Sequence, residues 1–263
     1  MLLLDLCYTF RMVKKILIAI GAIVAFLFAA AFISIVQARN APAPLVVANV
    51  TELDKIEKIS RYRSCAGHVT VPQDRRENKR NMKHYFWVKP EYNKSNEVEI
   101  YAPYDGYVSI LRSEPELRLE GEIWIAPAKM FALMPPFGMW NFSVQHIDVR
   151  DDLRVGDKVR AGELIGHAAL SEERGDSFDI VYAKLGIPTK RIDNWTAPFA
   201  DLDSLFNHMS DQVFAEYRNK GIADAGDIIM SKEARDQNPC EYQGAGPYFS
   251  NQFDEDNWAV LSD

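Results

Sequence analysis

The 263-residue sequence predicts a mainly β domain with helical flanks, preceded by one transmembrane helix and followed by a C-terminal helical cap. Three observations carry this reading. An uninterrupted run of 21 uncharged residues extends from Ile16 to Val36. Between Val98 and Ala183 apolar residues recur with a period of two, in short stretches punctuated by Gly, Pro and Asp. After Pro188 the apolar spacing returns to that of a helix. With 48% apolar and 25% charged residues, the composition excludes a disordered chain, a collagen-like repeat and a multi-span membrane protein. The formal charge of −7 speaks against a nucleic-acid partner held through its phosphates.

At about 1.5 Å rise per residue, segment 16–36 reaches roughly the 30 Å needed to cross a bilayer. Lys14 and Lys15 precede it, so residues 1–15 are expected in the cytoplasm and residues 40–263 outside. Two readings are open. One is an uncleaved signal anchor, giving a single-pass membrane protein. The other is a signal peptide cut after Val36-Gln37-Ala38, giving a secreted domain. The run exceeds the usual signal core of about 7–15 residues, which favours the anchor. Met12, directly before Val13-Lys14-Lys15, reads as a more natural start than Met1, with residues 1–11 then an extension. Asn40-Ala-Pro-Ala-Pro44 forms a stiff, extended spacer.

Cys7 falls on the cytoplasmic side, which leaves Cys65 and Cys240 in a compartment where disulfides persist. A bond between them would staple the two ends of the soluble part, contributing roughly 5 kcal/mol on a chain-entropy estimate. Two unrelated buried thiols are the other reading. Glycosylation sequons begin at Asn49, Asn93, Asn141 and Asn194 and lend weak support to an outside location.

Residues 37–83 form a linker and N-terminal flank. Leu53, Ile56 and Ile59 have helical spacing there, and 66–83 is basic and irregular. Residues 84–185 form the β domain. Strands are predicted at 98–102, 107–111, 117–126, 141–149, 163–168 and 177–183. Turns are predicted at Tyr104-Asp105-Gly106, Glu120-Gly121, Pro135 to Gly138, Val155-Gly156-Asp157 and Arg174-Gly175-Asp176. Residues 186–263 are the helical cap and tail. Leu202, Leu205, Phe206, Met209, Val213 and Phe214 form a helical stripe over 201–220, a second helix starts at Ser231, and 241–263 lacks periodicity.

Two stretches carry a family resemblance. One is Ile100-Tyr-Ala-Pro-Tyr-Asp-Gly-Tyr-Val-Ser-Ile110. The other is Val144-Gln-His-Ile-Asp148 followed by Leu153-Arg-Val-Gly-Asp-Lys-Val-Arg-Ala-Gly-Glu-Leu-Ile-Gly166. Gly156 and Gly162 permit tight turns with positive φ. Val155, Val159, Leu164 and Ile165 would alternate into a small β core. The order Ala-Pro-x-x-Gly, strand pair, His-Ile-Asp, Val-Gly-Asp, final strand resembles the barrel-sandwich hybrid (duplicated hybrid motif) of LytM/lysostaphin-type metallopeptidases over roughly residues 84–184.

That family uses zinc held by an H-x-x-x-D pair and the second His of a late H-x-H. Here Ser177 and Asp179 stand where the resemblance puts the H-x-H histidines. His84 has no Asp four residues on. Only His146 matches its family position, that of a catalytic helper. The resemblance therefore implies a degenerate domain, with no catalytic residue, no metal and no cofactor expected. Its role would be to bind a cell-envelope polymer or an envelope protein.

The alternatives are an active zinc metallopeptidase and an envelope-complex adaptor. In the first, His84, Asp179 and Glu99 would be ligands and His146 the assisting base. His84 reads otherwise as a half-buried member of an aromatic cluster with Tyr85, Phe86 and Trp87. His68, His167 and His208 read as unpaired with any metal motif, outward-facing, and packing or surface residues respectively. Trp87, Trp124 and Trp140 are either barrel core or a platform on which sugar rings or a peptide stack.

Overall fold

The computed structural model describes residues 2–114, 119–129, 137–170, 175–192 and 194–262. It divides into two units, residues up to Ala41 and Pro42 onward. The first is the helix α1 (Leu2–Asn40), whose segment Val13–Asn40 has mean hydropathy 3.0 and is long and apolar enough to cross a membrane.

The second unit is mainly β. Its strands in chain order are β1 (Ile56–Ser60), β2 (His84–Val88), β3 (Glu99–Tyr101), β4 (Gly106–Glu114), β5 (Leu119–Ala126) and β6 (Trp140–Val149). They continue with β7 (Lys158–Val159), β8 (Leu164–Ala168), β9 (Ser177–Ile192), β10 (Trp195–Asp203) and β11 (Trp258–Val260). The helices α2 (Asp211–Asn219) and α3 (Lys232–Gln237) follow β10. All strand pairs are antiparallel, along the path β11-β1-β2-β9-β6-β5-β4-β7, with β10 added on β9 and β8 joining β3 to β6.

Period two sorts the side chains of this sheet onto two faces. Phe86, Phe178, Ile180, Phe142, Val144, Ile123 and Ile125 share one face and are buried in the main core, with Phe86 and Phe178 stacked at 5.2 Å. On the opposite face the register aligns Tyr85 with Asp179, Asp179 with Gln145 and Gln145 with Glu122. The next row on that face is Val181, Ser143 and Trp124. A second apolar cluster, including Trp124, Val181, Phe199 and the cysteine pair, covers part of it.

Cys65 and Cys240 are joined in a disulfide that closes a 175-residue separation. Gly156 and Gly162 have φ of +94° and +77°, the first in the turn before β7 and the second in the turn between β7 and β8, as the Val-Gly-Asp motif predicts. Ser210 and Ser231 cap α2 and α3 by accepting hydrogen bonds from the Val213 and Ala234 amides.

Several local expectations are corrected. Residues 53–59 do not form a helix. Leu53–Lys55 is one 3-10 turn and 56–60 is a strand. The three-residue spacing of Ile56 and Ile59 arises because the register of β1 against β2 shifts between Ile56 and Lys58. This bulge puts both isoleucines on the core side.

Gly121 is not in a turn but inside β5, where a Cβ would approach the Ile147 carbonyl oxygen closer than 3.0 Å. Leu202 belongs to β10, Leu205–His208 is a 3-10 turn, and the helix begins only at Asp211. Val155 is exposed rather than core, whereas Val159 and Ile165 are buried. Asn141 is fully buried, so its sequon is closed in the folded domain.

The sheet also outgrows the expected 84–185 domain, since β1, β10 and β11 come from the flank and the tail. The start of the predicted 117–126 strand, Pro135-Pro136 and Arg174 lie outside the described residues.

Candidate functional site

Parity along the strands decides what stands near Asp179. His84 pairs with Ile180 and so points to the core face, away from Asp179. Its Nδ1 lies 2.7 Å from the Ser60 carbonyl and its Nε2 2.8 Å from Ser204 Oγ, with Phe206 edge-on at 4.9 Å. Burial pulls its pKa down to about 4, outweighing the backbone hydrogen bond to Ser60.

The preceding residue, Lys83, has the parity of Tyr85 and reaches the Asp179 face. Its ammonium bonds Asp179 Oδ2 and lies 4.8 Å from the Tyr85 ring centre. Burial, the largest single influence, would lower the Lys83 pKa, but the charge and hydrogen bond of Asp179 together with those of Tyr85 hold the ammonium above the ordinary lysine range. Burial would likewise raise Asp179, yet Lys83 first and His146 second hold it below the ordinary carboxylate range. Burial also pushes the Tyr85 hydroxyl up to about 12, against the opposing charge of Lys83.

His146 reaches this face through an irregularity. It has φ of +63°, and the register of β6 against β5 shifts around it between Gly121 and Glu122. The bulge lets His146 and Gln145 lie toward one side. His146 Nε2 is 3.8 Å from Asp179 Oδ2.

His68, from the irregular 66–83 segment, packs its ring 4.8 Å from Trp195 and places Nδ1 2.9 Å from the Val69 carbonyl. Burial first, and the nearby Lys83 charge second, lower its pKa to about 3.

Beside this cluster lies a cavity of about 190 Å³ lined by His68, Thr70, Lys83, Trp124, Trp195 and Phe199, with Arg112, Glu122 and Gln145 also on its wall. Glu122 is held from three sides. Arg112 donates at 2.9 Å, Trp124 Nε1 at 2.6 Å and Gln145 Nε2 at 2.8 Å.

The structure separates the other sequence candidates. Glu99 stands on β3 against His167, and its carboxylate accepts from the Tyr101 hydroxyl. Ser177 pairs with Trp87. Trp87 packs edge-on to Trp258 at 5.6 Å with Lys58 over its ring, and Trp140 stacks on Tyr182 at 5.6 Å. His208 lies 2.8 Å from Asp203. Of the three tryptophans, Trp124 alone lines the cavity.

Sequence reasoning missed Lys83, Trp195, Thr70 and Phe199. Strand parity over 83–88 was the available signal for Lys83. Nothing local marks the others.

A zinc site of the family type needs three protein ligands and an open position for water. On this face Asp179 and His146 adjoin, but the carboxylate is bound by an ammonium, which repels a dication. His84 and Glu99 are elsewhere. Among the described residues no three His, Cys, Asp or Glu side chains are grouped to hold a metal ion. The residues present do not fit zinc.

No protein-family model matches the chain, and neither does any curated protein. Solved structures similar to it include a Helicobacter pylori chain at 12% identity and TM-score 0.34, covering 54% of this chain and 32% of that one. Another is a zinc-containing peptidase from Vibrio cholerae at 14% identity and TM-score 0.33, covering 53% and 37%. A third comes from the SpoIIQ–SpoIIIAH pore-forming complex at 13% identity and TM-score 0.35, covering 66% and 97%. The chain thus spans about a third of the length of the first two.

Proposed function

We propose that the protein is a membrane-anchored, extracytoplasmic binding module on a degenerate LytM-like fold. It holds a cell-envelope polymer or envelope protein without cleaving it. The observation that carries this reading is the Lys83–Asp179 pair. The residue aligned with a family zinc ligand is committed to an internal ammonium, and the two charges cancel. A neutral, fully desolvated pair is suited to shaping a surface and not to lowering the pKa of a water, which is the task of the metal in the hydrolytic members. The uncharged helix behind Lys14 and Lys15 supports anchoring with the β unit outside.

The test has two arms on the purified full chain. After incubation with zinc and dialysis, metal content is expected far below one ion per chain. In a detergent that keeps the apolar helix in solution, the protein is expected to co-sediment with the detergent-insoluble envelope polymer of its own host, and a Trp124→Ala/Trp195→Ala variant to remain in the supernatant. One retained zinc per chain that Asp179→Ala abolishes would install the metallopeptidase reading instead. Failure to sediment would remove the polymer-binding arm.

A further inference from the structure

We propose that Cys65–Cys240 is a redox-active site, open to thiol reductants, in which Cys65 is released as a thiolate onto the Arg235 guanidinium. The inference goes beyond the binding-module reading and needs only the folded β unit.

It begins from a buried cation without a counter-charge. Arg235, on α3, is 6% exposed. Its Nε donates to the Arg63 carbonyl at 2.7 Å and its Nη1 to the Asn238 carbonyl at 2.8 Å. The same Nη1 lies 2.9 Å from Cys65 Sγ, and Nη2 lies 3.1 Å from Met230 Sδ. No carboxylate among the described residues pairs with it. The acids of the neighbouring segments are already shared, Glu77 by Arg63 and Arg80, and Asp236 by Arg80 and Lys232. Lys79, Glu233 and Glu241 of the same segments are exposed, where water screens them. Burial first and the Arg80 charge second pull the Arg235 pKa below the ordinary arginine range. A desolvated, unmatched charge is costly, and an anion formed beside it relieves that cost.

Reduction forms such an anion at the adjoining atom, because a neighbouring cation favours thiolate over thiol. The other sulfur is placed for the opposite state. Cys240 Sγ is 3.5 Å from the Ser64 carbonyl, which accepts an S–H. Access has the same polarity. Both cysteines are buried, but residues 236–239 and Glu241 around Cys240 are exposed, whereas Ser64 and Ala66 around Cys65 are buried. Local opening of segment 236–241 therefore presents Cys240.

A reductant thiolate attacks Cys240 Sγ, and the S–S electron pair leaves on Cys65 Sγ beside Arg235. A low-pKa leaving thiol departs faster. A second reductant thiolate then attacks the reductant sulfur of the mixed disulfide and displaces Cys240, which takes up a proton. The reductant ends as its own disulfide, having lost two protons, one now on Cys240 and one in solvent. The bond that breaks pins the tail to the segment carrying His68. There the Val69 amide donates to the Pro247 carbonyl at 2.9 Å and the Phe249 amide to the Gly67 carbonyl at 3.1 Å. Reduction thus loosens one wall of the cavity.

The test equilibrates the full chain, in detergent, with reduced and oxidised glutathione from both directions. Alkylation and peptide mass spectrometry count each thiol and keep Cys7 apart. The pair is expected to titrate within the range of glutathione buffers, which structural disulfides resist. Ordinary thiols are largely protonated below about pH 8.5, so release of Cys65 as a thiolate leaves one proton in solvent. The equilibrium constant for reduction should therefore rise about tenfold or more from about pH 6 to about pH 8. Arg235→Met should hold that rise below about twofold, and Arg235→Lys, which keeps the charge, should restore it. Amide hydrogen exchange should quicken on reduction only within residues 64–82 and 236–250.

A pair that excess glutathione leaves oxidised would overturn the proposal, as would a wild-type constant that is flat over this pH range. An Arg235→Met variant with the wild-type rise would remove Arg235 from the site. Exchange that also quickens through β6 and β9 would show unfolding of the whole unit in place of a local redox site.

Discussion

Replacing Lys83 by methionine removes the ammonium and keeps most of the side-chain volume. Asp179, 0% exposed, is then left buried with Oδ1 already unpartnered among the described residues. Removing one member of a buried ion pair costs about 3–5 kcal/mol, because the remaining charge is desolvated without compensation.

The pH dependence has a defined sign. In the wild type the Asp179 pKa lies below its unfolded value of about 3.8, so its contribution is present above pH ~4 and lost as the pH falls below. The Lys83 pKa is raised, so its contribution is present at pH 7 and lost only as the pH climbs beyond ~10.5. In Lys83→Met, burial acts on Asp179 without its main opponent and raises the carboxyl pKa. The deficit should therefore be largest at pH 7 and shrink to about half or less at pH 4.5.

Urea unfolding of the full chain in detergent, followed by tryptophan fluorescence at both pH values, measures this. Lys83→Met/Asp179→Leu, which removes both charges, should recover most of the loss. A Lys83→Met variant within about 1 kcal/mol of wild type at both pH values would refute the pair as a desolvated structural unit. The case against zinc would weaken with it.

Three further outcomes are expected. His84 and His68 should remain neutral at pH 5.5 by nitrogen NMR. The lowered His84 pKa contributes about 3 kcal/mol of stability above pH ~6.5 that drains away as the pH falls toward 4; an imidazolium signal for His84 at pH 6 would contradict its burial. Gly121→Val should destabilise by about 3 kcal/mol or abolish folding, since its Cβ collides with the Ile147 backbone; a wild-type melting temperature would refute the β5–β6 register. Reduction of Cys65–Cys240 should cost about 2–5 kcal/mol. Non-reducing peptide mapping of native material should recover the linked pair, and two free thiols would disprove it.

Much of the architecture is legible from local chemistry. The uncharged run 16–36 has a length and hydropathy that only a long apolar helix satisfies. The alternation from Val98 to Ala183 yields strands because period two places one side chain on the main-core face and the next on the opposite face. Gly156 and Gly162 mark their turns because positive φ is cheap for glycine alone. Ser231 marks α3 because its side chain accepts the Ala234 amide at the helix start.

What local chemistry does not decide is which face, which partner and which neighbour. A bulge at Ile56–Lys58 gives a strand the spacing of a helix, and pairing with β2 is what selects the strand. The short tail strand β11 has no pattern of its own and exists through pairing with β1.

The site depends on the same distinction. The residue types at 177, 179 and 146 could be compared with a family motif in sequence. That His84 faces the core while Lys83 beside it reaches Asp179 follows from the register of β2 on β9. His68 and Thr70 from an irregular segment, and Trp195 and Phe199 from β10, meet at one cavity only because the chain folds them onto the same sheet face. Periodicity along a chain encodes burial one element at a time, whereas contacts between distant segments are fixed by strand register and packing, which no local spacing carries.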